Sequence, residues 1–138
     1  MQLDPKTIAK AVPGINPAVH STAQTGAAID ALGYEYALVV MHFGALTDTA
    51  TLGIKLQDSP TTTSGDFVDI TGAVYAAVEN ADDNTIKVGL VRLHGKRRYV
   101  RAVSTVANSD NCTYAVQVIL VHADYAKSLE QTFSFNVT

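Results

Sequence analysis

The chain has no tryptophan, a single cysteine and few charges, and each shortage closes off a class of protein. Cys112 alone permits neither an internal disulfide nor a thiolate metal cluster, so packing must hold the fold. The longest apolar run, residues 37–46, is interrupted by His42 and falls short of the ~20 residues that a membrane-spanning helix needs. The opening residues, with Asp4, Pro5 and Lys6, show no apolar segment ending in a small-residue cleavage site, so cytoplasmic synthesis without a secretory signal is expected. On that expectation the acceptor-like triplets at Asn111 and Asn136 carry no weight. Without Trp, and with only six Tyr and four Phe, core volume must come from Val, Leu, Ile and Ala. Apolar residues make up 47% against 17% charged, which excludes disorder throughout, and 138 residues fit one domain.

What charge there is lies unevenly. The net charge is -3, yet six of the ten basic side chains, Lys87, Arg92, Lys96, Arg97, Arg98 and Arg101, fall in one stretch with no acidic residue between Asp83 and Asp110. Such a stretch is either a basic face for an acidic partner or a hairpin whose outward arginines pair with carboxylates on neighbouring strands. The second reading is preferred. Direct nucleic-acid contact is not expected, because the total charge is acidic and no recognised binding motif occurs.

The middle block, residues 20–122, reads as β-structure between two terminal segments, 1–19 and 123–138. Asp4 before Pro5 is a helix-start pattern that predicts a turn or two to about Ala11, ended by Pro13-Gly14, with Pro17 keeping the neighbouring residues extended. Residues 21–30 are small and polar and predict one or two short strands with a bend at Gly26. Residues 34–43 are apolar on both faces after Glu35, as in a central strand buried on two sides. Residues 51–57 alternate, with Leu52, Ile54 and Leu56 on one face and Gly53, Lys55 and Gln57 on the other, as in a half-exposed strand. After a Thr-rich loop with Pro60 and Gly65, residues 67–70 and 73–78 predict two short strands around a turn at Thr71-Gly72, with a helix over 73–81 as the competing reading. Residues 85–93 and 98–106 are rich in β-branched side chains and predict a hairpin through His94-Gly95-Lys96-Arg97. A turn over 108–111 leads to a last long strand over 114–122.

Seven to nine strands without a helical period between them define an all-β chain. Strands apolar on both faces fit a two-sheet antiparallel sandwich or a barrel better than one open sheet, and a jelly-roll-like sandwich with extended terminal arms is expected. Beyond it, Phe133, Phe135 and Val137 alternate with polar residues, so this segment either adds to a sheet edge, its own or a neighbour's, or is the last strand of the sandwich.

Chemistry-bearing residues are scattered. His20, His42, His94 and His122 never fall at the i, i+2 or i, i+4 spacing that presents two nitrogens to one metal. Cys112 beside Asn111 would act as a nucleophile only with a His folded against it. Asp66 with Asp69 and Asp82 with Asp83 complete neither a glycosidase pair nor a calcium loop, which would need the glycine and terminal glutamate missing here. Neither a phosphate-cradling glycine loop nor a Gly-x-Ser-x-Gly elbow occurs, so the expectation is a non-enzyme without cofactor or metal.

Three phrases carry a resemblance: residues 25–30 (TGAAID), 56–70 with LQDS, a Thr-rich loop and GDFVDI, and 96–101 (KRRYVR). Their order across residues 25–106 resembles small virion proteins of tailed bacteriophages, in particular the jelly-roll cement or decoration proteins that clamp head shells. The resemblance implies a virion protein on the capsid surface, bound to the major capsid protein and to itself as a dimer or trimer, with no membrane contact. The same pattern occurs in tail-associated proteins, so a tail or fibre module binding carbohydrate or another virion protein is the alternative. On this view Ile8, Val12 and Ile15 of the first arm, Arg97, Arg98 and Arg101 of the basic stretch, and Phe133 and Phe135 near the end make the intersubunit contacts.

Overall fold

The computed structural model describes residues 9–107, 110–122 and 134–137, without the side chain of Ala77. The expected helix start at Asp4, the contact residues Ile8 and Phe133, and part of the expected turn over 108–111 lie outside the described residues.

The chain runs through β1 (Ala9–His20), β2 (Gln24–Thr25), β3 (Ile29–Asp30), β4 (Tyr36–Leu46), β5 (Thr51–Ser59), β6 (Val68–Val78), β7 (Ile86–Arg92), β8 (Tyr99–Ala107), β9 (Cys112–Val121) and β10 (Phe135–Val137). Single 3-10 turns at Ser64–Asp66 and Asn80–Asp82 are the helical pieces among the described residues. One sheet has the order β1-β9-β4-β7-β10, and the other has β2-β8-β5-β6 with β3 also on β8. Because β2 and β3 both pair antiparallel with β8, they act as one strand interrupted at Gly26. Counted so, the first sheet holds the first, eighth, third and sixth strands and the second holds the second, seventh, fourth and fifth, the order of a jelly roll. β10 is a parallel addition beside β7, outside that set.

Strand alternation builds the core. Ala37, Val39, Met41 and Phe43 of β4 and Tyr114, Val116, Val118 and Leu120 of β9 turn inward and meet Leu52, Ile54 and Leu56 of β5 and Val100 and Ala102 of β8. Each such aliphatic side chain contributes about 1.5–3 kcal/mol through removal from water. One polar pair lies within: Ser104 Oγ and Tyr114 OH share a 2.5 Å hydrogen bond, and the Gln24 N–H donates to Ser104 Oγ at 3.2 Å. Gly26 lies so close to Gly14 that a Cβ would overlap the Gly14 carbonyl oxygen, which closes this side of the sandwich. β10, packed against β6 and β7, closes the other.

Several expectations change. Ala9, Lys10 and Ala11 are strand rather than helix, because β1 finds an antiparallel partner in β9 over its whole length. Residues 9–20 are therefore an edge strand of the sandwich and not an arm. The two short strands expected around Thr71-Gly72 are one strand with a bulge: pairing jumps from Lys55↔Val74 to Gln57↔Asp69, and Gly72 takes φ +84°, open to glycine without a Cβ penalty. The competing helix over 73–81 is absent, since strand continues to Val78. β7 and β8 do not form a hairpin. The turn at Gly95 exists, but Leu93 N–H bonds to Glu35 O on one side while Ala31 N–H bonds to Arg98 O on the other, so the flanks go to different sheets. β4 is central as expected, but its second face is only half-buried at Leu38 and Val40 and exposed at His42.

Candidate functional site

Carboxylates outside the basic stretch pair with three of its six side chains. Arg98 Nε and Nη2 donate to both Asp30 oxygens at 3.0 and 2.7 Å, Arg92 meets Glu35 at 3.4 Å, and Lys87 meets Asp82 at 3.3 Å. The Arg98 hydrogen bonds, with the Leu32 N–H, hold the Asp30 carboxyl down at about 2. Arg101 donates to Gln57 Oε1 at 2.8 Å and to Ser64 Oγ at 3.0 Å, and its guanidinium lies 4.1 Å over the Phe67 ring. What remains is a tip of two residues, half-buried Lys96 and exposed Arg97, whose side chains make no hydrogen bond or ion pair among the described residues. Arg97 contributes only its N–H, donated to the buried Asp58 carboxylate at 3.0 Å.

The apolar contact residues also turn inward. Ile15 pairs with Val116 and is 5% exposed, Val12 packs against the core, and Phe135 is 7% exposed among core side chains. Of the two readings of the terminal alternation, residues 135–137 take the form of a strand added to the edge of the chain's own sheet beside β7.

The groups considered for chemistry have structural partners. Asp69 takes Lys55 Nζ and Gln57 Nε2 at 2.8 and 2.7 Å, which lowers its titration. Asp66 accepts from Thr61 at 2.6 Å, and Asp83 accepts the Leu46 N–H at 2.7 Å. His20 packs on Tyr114 and His122 on Tyr34, each at 4.8 Å between ring centres, while His42 and His94 lie elsewhere. Burial pushes the Cys112 thiol up, away from the thiolate that a nucleophile requires. Among the described residues no three His, Cys, Asp or Glu side chains group to hold a metal, and no helix is long and apolar enough to cross a membrane.

The surface feature that the sequence did not reveal is a groove on the outer face of the first sheet. Pro13 and Pro17 lack the N–H that a strand ladder uses, and the β1–β9 register slips after each, between Pro13 and Ile15 and between Ile15 and Ala18. Beside these slips two depressions share Pro17, His42 and Ala115, the larger about 460 Å³. Their lining adds Val40, Val19, Thr113 and Gln117 and no Lys, Arg, Asp or Glu. Val19, 61% exposed, lines the groove, and Ile86, 57% exposed, is the cross-strand partner of His42. The sequence signal was present as two prolines four residues apart within a segment now seen to be strand.

By fold, then, the protein belongs to the small two-sheet jelly-roll sandwiches. No family model matches the chain, and no curated protein matches it.

Proposed function

We propose that this protein is a non-enzymatic virion structural protein that binds and stabilises the capsid shell of a tailed bacteriophage from its outer surface, as a cement or decoration protein. The observation that carries the reading is the groove free of Lys, Arg, Asp and Glu, with Val19 exposed in its lining and Ile86 exposed beside His42, a surface whose burial against a partner is favourable without breaking any ion pair. The phrase resemblance to phage head proteins supports the same address. The partner surface is an uncharged apolar segment of the major capsid protein, and the Lys96–Arg97 tip adds a salt-sensitive contact to shell carboxylates. Copies on the shell engage several capsid subunits at once, so modest affinities multiply. A carbohydrate site is less favoured, because the aromatic rings at the groove, Phe43 and Tyr114, are buried and offer no stacking face.

The test is occupancy on shells lacking the protein. Val19→Asp removes about 1.5–3 kcal/mol of burial and lowers affinity tenfold or more. Arg97→Glu weakens attachment at low salt and little at high salt. Wild-type occupancy by both variants at every ionic strength would overturn the reading.

A further inference from the structure

β10 shows what the gap between β7 and β6 accepts. Phe135, Asn136 and Val137 pair in parallel with Gly89, Leu90 and Val91, and Ser134 N–H donates to Val88 O at 2.7 Å. A Cβ on Gly89 would fall inside the Phe135 ring, so the missing side chain is the socket for that ring. Two residues on, Val137 Cγ2 lies 3.4 Å from where a Cβ on Gly72 would stand, at the β6 bulge. Gly89 thus makes the socket for the ring and the β6 bulge at Gly72 meets Val137 in ordinary contact, a groove that suits an extended aromatic-x-aliphatic peptide. Main-chain bonds give such a site its affinity, and alternate side chains give it selectivity.

The occupant is separable from the host. The jelly-roll order is complete without β10, which contributes three paired residues at a sheet edge. Residues 122–134 separate the end of β9 from β10, and thirteen residues reach at most about 45 Å. Insertion within one chain takes three strand steps across β4 and β7 and a return of about four residues along β7, because β9 and β7 end level at Tyr36 while β10 begins beside Val88, about 20 Å in all at ~4.8 Å per strand step and ~3.3 Å per residue. The length therefore exceeds the internal reach about twofold, the slack that an exchange between copies requires.

We propose that the β7–β6 groove is a strand-acceptor site and that its second occupant is residues 134–137 of another copy of this chain, so that copies link by exchanging β10. The exchanged contacts are identical to the internal ones, so the swap needs no new complementarity and is governed by concentration. Dilute protein keeps its own strand, and crowded copies exchange. The inference is independent of what the outer-face groove binds.

Leu90→Cys and Asn136→Cys chains test it when mixed at high concentration, since the two positions are register partners on adjacent strands within disulfide reach. Native Cys112 is buried and stands aside. Exchange gives a mixed disulfide dimer in at least tenfold excess over either homodimer, and adding Phe135→Ser to the Asn136→Cys chain abolishes it. Equal yields of mixed and like dimers would overturn the proposal. Should Leu90→Cys fail to fold, a chain lacking residues 134–138 is mixed with full-length Gly89→Leu, whose own socket is blocked. A one-to-one complex in sedimentation supports exchange, and two independent folded monomers refute it.

Discussion

At the scale of single residues, Arg98 and Arg97 are adjacent in sequence and opposite in circumstance. Arg98 holds Asp30 bidentately, while the Arg97 side chain points outward and only its N–H is engaged. The pair has a pH signature. Asp30 titrates at about 2 in the folded chain against 3.8 ordinarily, so its stabilising effect is present above pH ~4 and fades as pH falls through about 2. Both partners are half exposed, so water and salt screen the effect. Arg98→Ala should return the Asp30 carboxyl toward 3.8 in an NMR titration and flatten the acid limb of stability between pH 4 and 2. The same variant should leave shell attachment near wild type, because that guanidinium is already paired. An Asp30 titration unmoved by Arg98→Ala would mean that the Leu32 N–H, not the ion pair, sets it.

At the scale of elements, alternation was legible and partnership was not. Leu52, Ile54 and Leu56 announced an inward face, and β5 has it. The segments 85–93 and 98–106 announced two strands and a turn, all present, yet nothing local to Gly95 records that Glu35 and Ala31 would draw the flanks into different sheets. A turn's residues fix its backbone angles, whereas the sheet each strand joins depends on contacts fifty or more positions away. β1 departs from its local signal for a related reason. Asp4-Pro5 is a strong helix start, but the continuous β9 edge outweighs it from Ala9 onward. The groove shares this fate, since Pro13 and Pro17 look like chain breaks until β9 shows them to be slips within a strand. Phe135 has the pattern of an outward anchor, and only the room left by Gly89 turns it inward. Phe135→Ala should accordingly destabilise the monomer by about 3 kcal/mol, toward the low end of buried Phe truncations because β10 is an edge strand. Urea melts would register this as a lower midpoint. A loss below about 0.5 kcal/mol would show that the ring contributes little to the monomer.

At the scale of the whole molecule, the two sheets present different surfaces. The outer face of the second sheet is knitted by Lys55, Asp69, Gln57, Arg101 and Ser64, whose hydrogen bonds run across β6, β5 and β8 and from β8 to the β5–β6 connection. Covering that face would desolvate groups already paired to one another, with little gain. The outer face of the first sheet carries Leu38, Val40, Val88 and Ile119 half-buried and Ile86 exposed, so covering it removes apolar surface from water. On the proposed function, the outer face of the first sheet is the docking side and that of the second the solvent side. A matched pair of substitutions checks this sidedness. Ile86 is 57% exposed on the first sheet, and Val74 is 46% exposed opposite Lys55 on the second, so each accepts an aspartate without burying its charge in the core. Ile86→Asp should lower shell occupancy tenfold or more, while Val74→Asp should change it less than twofold, both chains melting near the wild-type temperature. Equal losses from the two would mean that both faces are covered on the shell, and a larger loss from Val74→Asp would reverse the assignment of sides.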